Sequence, residues 1–155
     1  MLPIFTKKKV GNLRSFLEED GFYRIPLQKL QTGHYKLKAK INNKKGEFIL
    51  DTGASTSCIG IISISHFSLL GEESEIKAAG AGATDMETLL ARNNKVSFGK
   101  FNLNNVDFVL FDLSHVNHAL AQAEEPPVHG IIGADLLKKY RAVIDYGRNC
   151  FYMKR

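Results

Sequence analysis

The sequence predicts a mainly β fold with two or three short helices, and three observations support this prediction. Residues 34–41 alternate charged and apolar side chains, which is typical of a half-exposed strand. A polar turn at residues 42–46 leads into an apolar segment at residues 47–50, so the two segments are expected to form a hairpin. Further apolar segments bounded by turn residues predict strands at 58–62, 86–91, 95–98, 106–111, 142–146 and 149–153, with turns at Asn93-Asn94, Asn104-Asn105 and Gly147.

Helices are expected at three places between these strands. Residues 63–70 end at Gly71, and residues 134–140 precede the last hairpin. Residues 114–123 begin at Ser114, a candidate N-cap, and end before Pro126 and Pro127, because proline cannot continue a helix.

Length and composition indicate one globular domain preceded by a leader. The 155 residues are 44% hydrophobic and 24% charged, which is ordinary for a globular protein with its own core. We assign residues 1–33 to a basic leader, with a short helix capped by Asn12 and an extended segment, and residues 34–155 to the domain. No apolar run is long enough to span a membrane, and the N-terminus has the wrong order for a secretory signal. We therefore expect a cytoplasmic protein without a membrane partner.

The net charge of +5 is concentrated at the N-terminal end. Residues 1–50 carry 11 Lys and Arg against 4 Asp and Glu, whereas the remainder carries 10 against 12. Such a basic segment can attract nucleic acid or an anionic surface, or it can simply be a solvated face. No nucleic-acid-binding motif accompanies the charge, so a solvated face is favoured and no nucleic-acid partner is expected.

The cysteines and histidines do not predict a metal site. Cys58 and Cys150 lie far apart in apolar segments, which favours buried free thiols. His115 and His118 have a spacing that can bind metal on a helix, but no carboxylate or cysteine lies directly beside them in sequence, so exposed polar residues are expected. His129 is expected either to contact substrate or to be solvated. We expect no metal and no cofactor.

The apolar segment 48–50 ends in Asp51-Thr52-Gly53. A carboxylate at the end of a buried strand is costly unless it is hydrogen-bonded or used in chemistry. The triplet alone is equally compatible with a structural turn of the Asx type. A second stretch, from His129 through Gly130-Ile131-Ile132-Gly133 into the helix at 134–140, favours the functional interpretation.

Together the two stretches resemble the retropepsin-like aspartic proteases over residues 34–155. The resemblance implies a closed barrel-like fold and an endopeptidase in which Asp51 is the general acid and base. It further implies that Thr52 hydrogen-bonds across a dimer axis and that Gly53 lets the backbone approach the water and the substrate. Ala54 and Ser55 would complete the active-site turn. The wall beside that turn would be formed by four residues, Gly130, Ile131, Ile132 and Gly133.

This chemistry requires two carboxylates around one water, and Asp-Thr-Gly occurs once in the sequence. The resemblance therefore implies a homodimer in which each subunit supplies one Asp51. Residues 150–153 are a candidate for strand pairing between subunits. The expected partners are a second copy of the chain and a peptide or protein substrate bound as an extended strand.

The segment 76–84 lacks large side chains from residue 78 to residue 83. Its place after Asp51 implies the substrate-covering flap of the family, with candidate binding residues Ala79, Gly80, Ala81 and Gly82, although an ordinary glycine-rich loop would have the same composition.

Two departures qualify the resemblance, and one further acid is not expected to be catalytic. The retroviral proteases pair an arginine with an acid near the dimer interface, and this chain has Ala134 and Ser55 there instead. The helix at 114–123 lengthens the compact retroviral pattern. Asp135 is expected to be a helix N-terminal acid rather than a catalytic residue. The alternative function is a non-catalytic peptide-binding or adaptor module on the same dimeric fold.

Overall fold

The computed structural model describes residues 11–73 and 88–155, and this part of the chain contains three α-helices and eleven strands. In chain order these are α1 (Leu13–Glu19), β1 (Tyr23–Pro26), β2 (Gln28–Lys29), β3 (Tyr35–Ile41), β4 (Lys44–Leu50), β5 (Cys58–Gly60), β6 (Gly71–Glu73), β7 (Leu89–Phe98), β8 (Phe101–Phe111), α2 (Ser114–Gln122), β9 (Gly130–Ile132), α3 (Ala134–Lys139), β10 (Val143–Asp145) and β11 (Cys150–Met153). Single 3-10 turns occur at Ile61–Ser63 and Tyr146–Arg148.

Six strands form a closed barrel in the order β3-β4-β9-β5-β8-β7, and the pairing of β3 with β7 closes it. The alternation in β3 explains its place in the wall: Leu37, Ala39 and Ile41 are buried, whereas the intervening lysines point outward. The mainly β, closed barrel-like fold that the sequence and the resemblance predict is confirmed, as is the expectation of a few short helices.

A second sheet holds β11 between β1 and β10. Both edges of β11 are paired within the chain, from Tyr23↔Met153 on one side to Asp145↔Cys150 on the other, and its four residues are all buried. The expectation that residues 150–153 pair with a second subunit is therefore wrong. In the part of the chain that the structure describes, β1 and β10 are the outer strands of this sheet.

The helix predictions hold for most of the expected segments. Helices α2 and α3 lie where they were predicted, and Asn12 caps α1 by accepting a hydrogen bond from the Ser15 amide at 2.8 Å. Residues 63–70 do not form a helix. The 3-10 turn at Ile61–Ser63 is followed by further turns, and Ser68 is left-handed with φ +54°. Ser114 is already inside α2, and its amide donates to the Asp112 carboxylate at 2.8 Å.

The turns predicted at the two asparagine pairs are wrong, because both pairs lie within the two longest strands. Strands β7 and β8 continue through Asn93-Asn94 and Asn104-Asn105, and the chain reverses at Gly99 (φ +59°). Two left-handed asparagines, Asn93 and Asn105, accompany register irregularities within the β7–β8 pair. The cross-strand partners, which lie outside the local sequence, turn these sites into bulges rather than chain reversals.

The core fills the barrel with phenylalanine and aliphatic side chains, and a second apolar cluster lies under α2. Cys58 and Cys150 are buried free thiols, as predicted. Burial raises the pKa of the Cys58 thiol to about 12, so this residue stays a neutral apolar filler. Within residues 11–73 and 88–155, no helix combines the length and the apolar character needed to cross a membrane.

Candidate active site

Strand β4 carries Asp51 to one end of the barrel. The Asp51 amide donates to the Ile132 carbonyl at 3.0 Å, which continues the pairing of β4 with β9. The Gly53 amide donates to Asp51 Oδ1 at 2.9 Å, and the Ala54 amide donates to the Asp51 carbonyl at 3.2 Å. The bond from the Gly53 amide fixes the Asp51 carboxylate within the turn. Because Asp51 is only half-buried, it is still accessible from outside.

A buried hydrogen-bond network supports this turn from below. The fully buried Ser57 donates its hydroxyl hydrogen to Asp135 Oδ1 at 2.6 Å and accepts from the Gly133 amide at 2.8 Å. The Ser57 amide donates to the same carboxylate oxygen at 2.9 Å, and the Ala134 amide donates to the Ala54 carbonyl at 2.7 Å. The network connects the Asp51 turn to the start of α3, so each holds the other in place.

Asp135 occupies the first turn of α3, as the sequence predicts for a helix N-terminal acid. Its Oδ1 also accepts a hydrogen bond from the amide of the neighbouring Leu136 at 2.8 Å. This carboxylate accepts hydrogen bonds from Ser57 and from the helix backbone, and it is absent from the residues that line the cavity beside Asp51. Its geometry is that of a supporting residue rather than of a second catalytic acid.

The predicted wall forms strand β9 beside the Asp51 strand. Phe48, Ile49 and Leu50 pair in parallel with Gly130, Ile131 and Ile132. A Cβ atom on Gly130 would lie 2.2 Å from the Cys58 carbonyl oxygen, and one on Gly133 would lie 2.7 Å from the Ala54 carbonyl oxygen. Both glycines are therefore required by close backbone approach.

The predicted site residues around Asp51 divide into exposed and buried groups. Thr52, Gly53 and Ser55 are exposed, whereas Ala54 and the four wall residues are buried. Thr52 borders a shallow groove of about 390 Å³ that is otherwise lined by residues of α3, β10 and the segment between them. The predicted flap residues Ala79, Gly80, Ala81 and Gly82 lie outside the described residues.

A cavity of about 270 Å³ opens beside Asp51, with one wall from the barrel and the other from α2. Its lining residues are Thr32, His34, Ile49, Asp51, His115, Val116, Ala119, Leu120 and Ile131. Sequence reasoning missed His34 and the α2 residues, because they join Asp51 only through the fold. The spacing of 115, 116, 119 and 120 places them on one helical face and is the one signal that could have grouped them.

The remaining histidines have structural contacts. The Glu47 amide donates to His129 Nδ1 at 3.0 Å, and the His129 ring stacks on His66 with centroids 5.2 Å apart. Burial, with a smaller contribution from His66, lowers the pKa of His129. His118 contacts Gln122 on the outer part of α2. In the part of the chain that the structure describes, no three His, Cys, Asp or Glu side chains are grouped to hold a metal ion.

Solved structures with the same fold come from several sources. A retropepsin-like aspartic protease from Rickettsia conorii is 18% identical, with a TM-score of 0.58 and coverage of 86% of this chain and 90% of that one. The retroviral protease-like domain of Ddi1 from Leishmania major is 17% identical, with a TM-score of 0.54 and coverage of 76% and 86%. The EIAV protease, solved with the inhibitor HBY-793, is 19% identical, with a TM-score of 0.50 and coverage of 67% and 85%. At these identities the likeness shows the fold.

The family comparison rests on sequence, and its matched span covers both motifs. No curated protein matches the chain. The family described as aspartyl protease matches residues 37–136, from strand β3 into helix α3, and this span includes Asp51-Thr52-Gly53 and the Gly130–Gly133 wall. Because the match covers well over half of the 155 residues and contains the two stretches that build the site, the chain belongs to the aspartyl protease family.

Proposed function

We propose that the chain is an aspartic endopeptidase that hydrolyses peptide bonds as a homodimer, with Asp51 as the catalytic residue of each subunit. The observation that supports this proposal most directly is the position of Asp51. Its carboxylate is half-buried, held by the Gly53 amide and placed at the wall of a cavity. A carboxylate in this setting can contact a substrate and exchange a proton with it.

The catalytic step needs a second carboxylate beside the first. One ionised Asp51 removes a proton from a water molecule, which attacks the peptide carbonyl carbon. A protonated Asp51 donates its proton to the carbonyl oxygen. Two like charges at short distance do not both ionise easily, so the pair holds one shared proton over part of the pH range.

The described part of one chain does not supply that second acid. Among the described residues that line the cavity, Asp51 provides the only carboxylate. Asp135 is engaged with Ser57, and Asp145 lies 3.4 Å from Arg148. A two-fold arrangement of two chains would bring the second Asp51 to the site.

The surface around Thr52 is a suitable face for that dimer. Thr52 is exposed at the border of a groove formed largely by apolar side chains, including Leu137, Ala142 and Ile144. Strand β10, which contains Ile144, has no strand partner on its outer side among the described residues. A second copy on this face would cover apolar surface and place its own active-site turn next to Thr52.

The test is cleavage of a mixed peptide library between about pH 3 and pH 7, where paired carboxylates hold one shared proton. The native chain is compared with Asp51→Asn, which keeps the size of the side chain and removes its acid. We expect native cleavage and a loss of roughly 10²-fold or more in the variant, the usual size of a general acid–base contribution. Equal cleavage by both proteins, or none by a folded native dimer, would refute the proposal.

A further inference from the structure

We propose that a basic groove on the outer face of the barrel binds an extended, acidic segment of another polypeptide. The groove crosses strands β3, β4 and β7 and has a volume of about 670 Å³. Its charged or titratable lining residues are Lys38, Lys40, Lys45, Glu47 and His129. The inference does not depend on the proposed function, because the basic groove shares no lining residue with the cavity beside Asp51 or with the groove beside Thr52.

The register of the strands brings the lysines of the basic groove together. Lys40 lies directly opposite Lys45 on β4 and Ser97 on β7, and Lys38 lies opposite Glu47. Residues directly opposite each other in an antiparallel pair have Cβ atoms about 4.5–5.5 Å apart, and like charges at such positions are destabilising. The fold therefore concentrates positive charge at one place, at a cost that a bound anion would offset.

Among the described residues, the acids of this chain leave that charge uncompensated. Glu47, the acid of the basic groove, lies 3.9 Å from Lys36 and is thereby paired outside the three lysines. Within residues 11–73 and 88–155, no carboxylate lies within ion-pair distance of Lys38, Lys40 or Lys45. All three lysines are exposed, so an acidic side chain from another molecule can reach them.

The lining favours a polypeptide over a nucleic acid. Proteins that bind single-stranded nucleic acid combine basic residues with aromatic side chains that stack on the bases. The described lining of the basic groove contains no Phe, Tyr or Trp. Glu47 would also face a continuous row of phosphates with a like charge. Asn43 and Asn102 instead contribute side-chain amides, which can donate to and accept from a peptide backbone.

An extended segment with acids at alternate positions matches the spacing of the lysines. Side chains two residues apart on a strand point to the same face and lie about 7 Å apart. Lys38 and Lys40 have this relation on β3, so two alternate acids of a bound segment can meet both. Asp51 follows Lys45 by six positions, or about 20 Å at the ordinary rise of a strand. The basic groove is therefore separate from the Asp51 turn.

The test is a fluorescence-anisotropy titration with a fluorescein-labelled peptide in which four glutamates alternate with serines. We expect the native chain to bind this glutamate peptide and to lose affinity as the salt concentration rises from about 20 mM to about 300 mM, because salt screens exposed charges. The matched peptide, with glutamine in place of each glutamate, should bind about tenfold more weakly or less well still, since it forms no ion pair.

A matched pair of double variants locates the binding. Lys40→Gln with Lys45→Gln should weaken binding of the glutamate peptide about fivefold or more, as expected for the loss of two exposed ion pairs. Lys29→Gln with Lys139→Gln makes the same change in net charge at two exposed lysines outside the basic groove, and it should bind like the native chain. Lys38→Gln is the replacement if circular dichroism shows that the first double variant is unfolded.

Three outcomes would overturn the inference. The first is equal affinity of the native chain for the two peptides, and the second is an equal loss of affinity in the two double variants. The third is tighter binding of an oligothymidylate that depends on the same two lysines, since the groove would then belong to a nucleic acid. Asp51→Asn should bind the glutamate peptide as the native chain does, so a failure of the proposed endopeptidase activity leaves the inference standing. A loss of binding in Asp51→Asn would place the peptide at the Asp51 turn and contradict it.

Discussion

At the scale of single residues, the hydroxyl of Ser57 connects the active-site turn to helix α3. It donates to Asp135 Oδ1 and accepts from the Gly133 amide, and the side chain is fully buried. Removing the hydroxyl leaves a buried amide without its acceptor, and such an unpaired group costs about 1–3 kcal/mol.

Ser57→Ala is therefore expected to lower the free energy of unfolding by about 1–3 kcal/mol, measured by urea denaturation at pH 7. Ser55→Ala changes an exposed hydroxyl two residues away and serves as the control, with an expected effect within about 0.5 kcal/mol. Equal stability of the native chain and Ser57→Ala would show that the network does not support the turn.

The sequence was sufficient to predict the site residues whose role depends only on their neighbours in the chain. Asp51-Thr52-Gly53 forms a turn at the end of a strand, and Gly130 and Gly133 lie where close backbone approach excludes a side chain. The sequence did not reveal the bond between Ser57 and Asp135, nor the convergence of His34 with α2 on Asp51. These contacts join residues about 80 positions apart, and only the closure of the barrel brings them together.

At the scale of elements, a titratable residue, His129, extends the pairing of β4 with β9, just before Gly130. The Glu47 amide donates to His129 Nδ1, and the His129 amide donates to the Glu47 carbonyl at 2.8 Å. A protonated imidazole has no lone pair to accept the first of these bonds. Protonation of His129 therefore weakens the link between the strand that carries Asp51 and the strand beside it.

The pH dependence follows from the lowered pKa of His129, which is caused mainly by burial and secondly by His66. In the unfolded chain histidine has its ordinary pKa of about 6.5, so between that value and the lower folded value the unfolded state binds more protons. The contribution of neutral His129 to stability is full above about pH 6.5 and is lost as the pH falls through the folded pKa.

We expect the free energy of unfolding, from urea denaturation, to fall between pH 7.5 and pH 5, and to fall less in His129→Gln. Both proteins contain the same carboxylates, so the difference between their pH-dependent free energies of unfolding isolates the contribution of His129. The same slope in both proteins, or a native chain that gains stability toward pH 5, would contradict this role of His129. Folding must be checked at each pH of the cleavage assay for the same reason.

Some boundaries of strands and helices depend on contacts with other elements, which a local sequence pattern does not reveal. The alternation of β3 was sufficient to predict a barrel strand, and Asn12 was sufficient to predict the start of α1. At Asn93 and Asn105 the same residue type that forms turns occupies bulges instead, because β7 and β8 stay paired on both sides. Residues 63–70 were predicted as a helix but form turns that include the left-handed Ser68.

At the scale of the whole molecule, the intramolecular pairing of β11 limits the strand edges that a second subunit could use. With β1 and β10 on its two sides, β11 has no edge left for a second subunit. The groove beside Thr52 and the outer edge of β10, which has no strand partner within residues 11–73 and 88–155, lie next to the active-site turn. A dimer on this face would supply two Asp51 carboxylates to one site, which is the central claim of the proposed mechanism.

Subunit mixing tests that claim most directly. Native chain and Asp51→Asn are combined in equal amounts, unfolded in urea and refolded together so that subunits exchange at random. Total protomer concentration is held constant, and peptide cleavage is compared with that of the refolded native chain alone. If each site needs two Asp51 residues, only dimers of two native chains are active, so the mixture should retain about one quarter of the activity. Retention of about one half, the value for independently active subunits, would contradict the shared-carboxylate mechanism.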